Sequence, residues 1–233
     1  MSESQSPDFK AIFNGMTIVL VAHDLNMTIF KPVWMCKFDI LRPDEITEGA
    51  FISPAAIQLP NPNFQVTILP NRLQMGFPTL NAEENSTLAN RVLGGILKQL
   101  PHTPISAVGI NFEFLVHPTD LPTFGGWNKE KFATPLASKL VGGDGSQPRF
   151  GSYVSMYVGD IRLKLDMKPV RAMEDPRAET EALAPQTESM KLNFNYHLDL
   201  NHEDPTGHAL AHLNRVPECI GHAKAIVDTL LTQ

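Results

Sequence analysis

Apolar and polar residues alternate along several stretches of this chain. In "FQVTILP", Phe64, Val66 and Ile68 share one side, and in "RLQMGFP" Leu73, Met75 and Phe77 do the same. Val108, Ile110, Phe112, Phe114 and Val116 alternate within "HTPISAVGINFEFLVH". Ile161, Leu163, Leu165 and Met167 alternate with Arg162, Lys164, Asp166 and Lys168. "KLNFNYHLDL" sets Leu192, Phe194, Tyr196, Leu198 and Leu200 against Lys191, Asn193, Asn195, His197 and Asp199. A period of two with one apolar side predicts half-buried strands of an antiparallel sheet. Pro70-Asn71 and Gly159-Asp160 separate strand pairs and suit hairpin turns. "GMTIVLVAH" is an apolar run of strand length, and "MTIFKPVWMCKF" after it reads as either strand or short helix.

The spacing changes to four in "NSTLANRVLGGILKQL", where Leu88, Val92, Ile96 and Leu100 predict a helix with Asn85 or Ser86 as its cap. Gly94-Gly95 inside it costs about 1 kcal/mol per Gly relative to Ala. Either a neighbour packs closely there or the helix breaks. Lys129 to Leu140 predicts a shorter helix. At the C-terminal end, Leu210, Leu213, Ile220, Ala223, Val227 and Leu230 form a stripe. Asp204 is its expected cap, Pro205 suits the first helical position, and Pro217 predicts a kink or two helices near Val216.

These elements predict an α+β protein of two related lobes, each an antiparallel β-sheet packed by helices. Residues 1–117 form the first lobe and residues 148–233 the second. A Pro/Gly-rich junction at 118–147 joins them, and the second lobe carries an acidic loop at 171–190. Each sheet would retain an edge with unpaired backbone groups. Joining the lobes or self-association would cover it.

Charge narrows the partner classes. The chain is 42% hydrophobic and 19% charged, with a formal net charge of −6. Residues 1–117 carry seven Lys/Arg against ten Asp/Glu, and the remainder twelve against fifteen. Neither half is basic, which argues against nucleic acid as a partner and leaves room only for a local basic patch. The polar, acidic "MSESQSPDFK" lacks the apolar core of a signal peptide, and Ile18–Ala22 is too short to span a bilayer, so no membrane is expected. Cys36 and Cys219 lie almost at opposite ends, which fits free thiols and a cytoplasmic location.

Three constellations are candidates for chemistry or binding. Asn111, Glu113 and His117 form a polar row, matched by Asn195 and His197 on the corresponding strand of the second half. Side by side, they would put a carboxylate, two amides and two imidazoles on one face, the raw material of acid–base catalysis. The plain alternative is the wet side of an amphipathic sheet. Gly109 beside them fits a bulge or a close backbone approach. Trp127, in "FGGWNKEKF", is either a partner anchor on a loop or a core residue tucked beneath it. His208 and His212 stand four apart, the spacing of two metal ligands on one helix face, yet no HExxH motif or Cys pair accompanies them, so no metal is assigned.

No P-loop, GxGxxG or GxSxG is present, and "GGDGSQP" lacks the Lys-Ser/Thr of a phosphate cradle. No cofactor is expected. "TIVLVAHDLN", "HTPISAVGIN", "NYHLDL" and "HAKAIVDTLL", in that order, resemble a group of uncharacterised bacterial proteins of about this length, and more loosely a sporadically distributed bacterial family. The resemblance implies a bacterial or phage-borne cytosolic protein and transfers no catalytic residue. The expectation is a non-enzymatic interaction or scaffold protein that forms a homo-oligomer or docks a protein partner. The alternative is a small-molecule-binding protein or enzyme using the face around Asn111, Glu113, His117 and His197.

Overall fold

The computed structural model describes residues 9–118, 124–140, 148–172, 187–201 and 203–232. Nine strands form one antiparallel sheet with the order β2-β3-β4-β5-β1-β6-β9-β8-β7. The strands are β1 (Phe9–Ala22), β2 (Phe51–Ile52), β3 (Ile57–Pro60), β4 (Gln65–Leu69), β5 (Arg72–Phe77), β6 (Ile105–Pro118), β7 (Ser152–Val158), β8 (Ile161–Ala172) and β9 (Thr187–Asp199). The helices are α1 (Pro32–Lys37), α2 (Ala82–Gln99), α3 (Phe124–Phe132), α4 (Pro135–Leu140), α5 (Pro205–Leu213) and α6 (Val216–Thr232). The α+β class is therefore as expected, but the halves do not build separate sheets. β6 and β9 pair along ten residues, from Ala107↔Asp199 to Val116↔Met190, so the edges that would have closed two sheets are spent on each other.

One face of the sheet holds the core. Met16, Ile18, Leu20, Val108, Ile110, Phe112, Leu163, Leu192, Phe194 and Tyr196 are all buried. α2, α5 and α6 pack over β5, β1 and β6 on this inner face. Gly94 and Gly95 are the close approach that their spacing allowed. A methyl at Gly95 would meet Ile40 at 3.1 Å, and one at Gly94 would meet Leu210 at 3.3 Å. The helix begins earlier than expected, at Ala82, with Asn81 accepting from the Glu84 backbone N–H. Asn85 instead is buried in the first turn and donates to the Thr79 carbonyl at 2.9 Å.

β1 runs further toward the N-terminus than its alternation suggests. Phe9, Ala11 and Phe13 are out of phase with Met16, Ile18 and Leu20, and a bulge at Asn14-Gly15 absorbs the slip so that both sets reach the core. The bulge is here and not at Gly109, which keeps regular register opposite Val19 and His197. "MTIFKPVWMCKF" resolves into α1 after Pro32, and the 129–140 segment into α3 and α4. The closing helix splits as Pro217 required, and Asp204 caps α5 by accepting from Gly207 N–H at 2.8 Å. Of the acidic segment at 171–190, Arg171 and Ala172 belong to β8 and Thr187–Met190 to β9, and 173–186 lie outside the described residues. The 118–147 junction is described only at Pro118 and 124–140, where it forms α3 and α4. No helix among the described residues is long and apolar enough to cross a membrane.

A buried ion pair anchors the β2 end of the molecule. Glu45 is 5% exposed, and the Arg91 guanidinium on α2 donates to both of its carboxylate oxygens, at 2.6 and 2.8 Å. Arg42 adds its backbone N–H and a guanidinium N–H. Burial alone would raise the Glu45 pKa, but the bonds from Arg91 and Arg42 outweigh it and hold the carboxyl below its ordinary range.

Candidate functional site: outer face and edge of the sheet

The polar row lies on the outer face, away from the helices. Register places Asn111 opposite Asn195 and Glu113 opposite Asn193, while β1 contributes Thr17 and, through its bulge, Asn14. The Asn195 amide donates to Asn111 Oδ1 at 2.5 Å, and Asn111 donates to the Thr17 carbonyl at 3.2 Å. Glu113 accepts from the Asn14 amide and the Lys191 ammonium. Burial pushes the Glu113 carboxyl up, but the bonds from Lys191 and Asn14 prevail and leave it lowered. These groups surround a shallow depression of about 380 Å³. Glu113 is 26% exposed, so the row belongs to the wet side of the sheet.

Not all of the expected row converges there. His117 is four residues from Glu113, about 13 Å along the strand. It bonds Ser189 across β9 at 3.0 Å, with its pKa lowered by burial and by Lys10. His197 faces Gly109 and Arg162 and bonds Asp199 at 3.0 Å. The carboxylate and two amides meet as expected, whereas the two imidazoles are separated. Asn14, Thr17 and Asn193 complete the depression, with Lys191 paired to Glu113, and none of these four stood out as a site residue in the sequence. The one signal that could have found Asn14 is the slip of alternation between Phe13 and Met16.

The other two constellations change character. Trp127 is not on a loop. It lies within α3, 7% exposed, with its ring 4.5 Å from Phe9 and packed by Phe124 and Phe132. The aromatic neighbours that bury it leave no ring face for a partner. His208 is exposed on α5 and accepts weakly from Asn201 N–H, whereas His212, 1% exposed, is buried with neither ring nitrogen hydrogen-bonded. Burial, then the Arg215 charge, depresses His212 to about 4, so it is neutral at pH 7. No group of three metal-ligating side chains occurs among the described residues. Cys219 is buried, and its thiol is pushed up to about 12 by burial and then Glu218, so it is no nucleophile.

β7 is the terminal strand on its side of the sheet. Asn128, fully buried on α3, anchors its approach by exchanging two 2.8 Å bonds with the Phe150 backbone. Beyond that anchor, Tyr153, Val154, Met156 and Tyr157 are 61%, 36%, 46% and 68% exposed. Val154 and Met156 point to the inner side, opposite Leu165 and Leu163, while Tyr153 and Tyr157 lie on the outer side, opposite Asp166 and Arg162. No described residue pairs with the far edge of β7.

The comparisons with known proteins returned no match to a family model, a curated protein or a solved structure.

Proposed function

We propose that this protein is a non-enzymatic, cytosolic interaction protein that associates with a second copy of itself through the β7 edge. The observation that carries this reading is the strand itself: seven residues with no charge and no proline. Natural edges are usually shortened, charged, broken by Pro or covered, because an open row of backbone N–H and C=O groups templates another strand. β7 uses none of the first three devices. Its sequence is also nearly palindromic about Ser155, Tyr-Val-Ser-Met-Tyr. An antiparallel pairing of two copies on a dyad at Ser155 sets Tyr153 opposite Tyr157 and Val154 opposite Met156, with no charge meeting its own image on the paired strands. Such aromatic and aliphatic pairs contribute roughly 0.2–1 kcal/mol each across strands. In this reading residues 1–117 and 148–233 act as related lobes fused through β6 and β9, and β7 repeats the same strand addition between molecules.

Light scattering over a concentration series tests the proposal. A dimer is expected, and the Val154→Lys/Met156→Lys variant is expected to be a folded monomer, its circular dichroism unchanged and its melting temperature no longer dependent on concentration. A wild-type monomer at every concentration, or a dimer indifferent to those substitutions, overturns it. A small-molecule site around Asn111, Glu113 and Asn195 is favoured only by the concavity there, and its polar groups are already committed to one another.

A further inference from the structure

A second depression of about 310 Å³ opens on the outer face where β7, β8 and β9 meet, and Tyr157, Asp160, Arg162, Lys164, His197 and Asp199 line it. Arg162 and Lys164 are two residues apart on β8, so both side chains leave the same face about 7 Å apart. Register puts Arg162 opposite His197 and Lys164 opposite Asn195. The ion pairs on this face are unevenly distributed. On the same face Lys168 is matched by Asp166 at 3.2 Å and Lys191 by Glu113. The depression also holds two carboxylates, Asp160 bonded at 2.5 Å to Arg215, which pairs with Glu218 as well, and Asp199 bonded at 3.0 Å to His197, which is charged only when protonated. The Arg215 bond comes first among the causes holding the Asp160 carboxyl low.

Arg162 and Lys164 have no such acid. The only side-chain bond of Arg162 among the described residues runs from Nε to Ser155 Oγ at 3.1 Å, which leaves both terminal guanidinium nitrogens uncommitted. Lys164 has no side-chain bond or ion pair among the described residues. Two cations with uncommitted N–H donors at the basic end of a concave spot fit an anion with several acceptor oxygens. A guanidinium fork beside an ammonium suits a phosphate group, with three acceptor oxygens and nearly two charges, better than a carboxylate. Tyr157, 68% exposed on the rim, supplies a flat apolar wall beside them. A polyanion fits less well, because the next cations along the face, Lys168 and Lys191, are already neutralised.

We infer that this depression binds a phosphomonoester, its phosphate held between Arg162 and Lys164 and its organic group laid over the Tyr157 ring. The inference does not rest on self-association: pairing at the β7 edge would bring a second copy's Tyr153 beside Tyr157, and the titrations are therefore run on the Val154→Lys/Met156→Lys variant as well as on the wild type.

Calorimetric titration with inorganic phosphate and with phenyl phosphate tests it. Saturable binding is expected, tighter for phenyl phosphate. Arg162→Gln and Lys164→Gln should each weaken both ligands about tenfold, and Tyr157→Ala should remove the advantage of the phenyl group. Lys168→Gln should change affinity less than about twofold, with melting temperatures reporting an intact fold throughout. No saturable binding, or an equal loss in Lys168→Gln, overturns the inference. Vesicles of phosphatidylcholine containing phosphatidic acid present the same headgroup on a membrane. Co-sedimentation that depends on Lys164 would assign the site to a lipid phosphate, and its absence beside phenyl phosphate binding would assign it to a soluble one.

Discussion

The two ends of this sheet solve the edge problem differently. At one end β2 is two residues long, its Phe51 and Ile52 about half exposed, and it is followed by Pro54. Behind it, Glu45 and Arg91 tie the preceding turn to α2 through a buried, doubly hydrogen-bonded pair. At the other end β7 keeps seven residues, no charge and four exposed large apolar or aromatic side chains, and among the described residues it is held by its pairing with β8 and by the Asn128 clasp before it. A strand that short offers too few backbone groups to template a partner, whereas β7 offers a full run. The first end is closed and tied down, and the second is the one that associates in the proposed reading. Substitutions at the two ends should therefore separate stability from association.

The largest effect is expected at the stable end. Glu45→Ala leaves Arg91 without its carboxylate and should cost about 3–5 kcal/mol, read by chemical denaturation. If the loss is under about 1 kcal/mol, the pair is not what holds that end together.

Next comes acid. His212 is held near 4 in the folded state against 6.5 for the free side chain. The unfolded chain then takes up the proton first as pH falls. Stability from this group is complete above about pH 6.5 and is lost progressively down to about pH 4, amounting to about 3 kcal/mol. Denaturation curves at pH 7 and pH 4.5 measure it. His212→Phe should flatten that slope, while the Glu45 contribution, lost only below its unfolded value of 4.5, should remain. An unchanged slope in His212→Phe would assign the acid sensitivity elsewhere.

Association should respond only at the other end. Val154→Lys/Met156→Lys should weaken dimerisation at least about a hundredfold, near 2.7 kcal/mol, while Phe51→Lys/Ile52→Lys leaves it unchanged. Equal effects at both edges would erase the distinction drawn between them. Asn128→Ala leaves the Phe150 backbone N–H and C=O unpaired and should cost about 1–3 kcal/mol. Hydrogen exchange should then rise in β7 before it rises in β1. Smallest of all, Glu113→Gln on the outer face should shift stability by less than about 1 kcal/mol, because the Lys191 pair is partly solvated.

Much of this layout was readable in the chain. Strands such as β6, β8 and β9 declare their inner faces because burial acts on every second side chain. Asp204-Pro205 and Pro217 mark helix boundaries because capping and a missing N–H act within one turn. The first half of β1 escaped because the bulge at Asn14-Gly15 shifts the alternation by one residue, and a period-two reading sees noise at a phase slip. The cap of α2 is Asn81 and not Asn85 or Ser86: all three are good capping residues, and Asn85 is taken instead by its bonds to Met16 and Thr79. Of the polar row, the meeting of Asn111, Glu113 and Asn195 was legible once two strands were assumed adjacent. The separation of His117 from His197 was not, because it depends on register.

Local sequence determined which residues turn inward, where the hairpins fall and which helices stop, since those outcomes depend on neighbours a few positions away. Tertiary structure alone decided that the halves share one sheet, that Trp127 is sealed by Phe9, and that β7 is left at the margin. Each of these turns on contacts between segments distant in the chain, whose free energy comes from shared burial and strand register. No short window of residues encodes that.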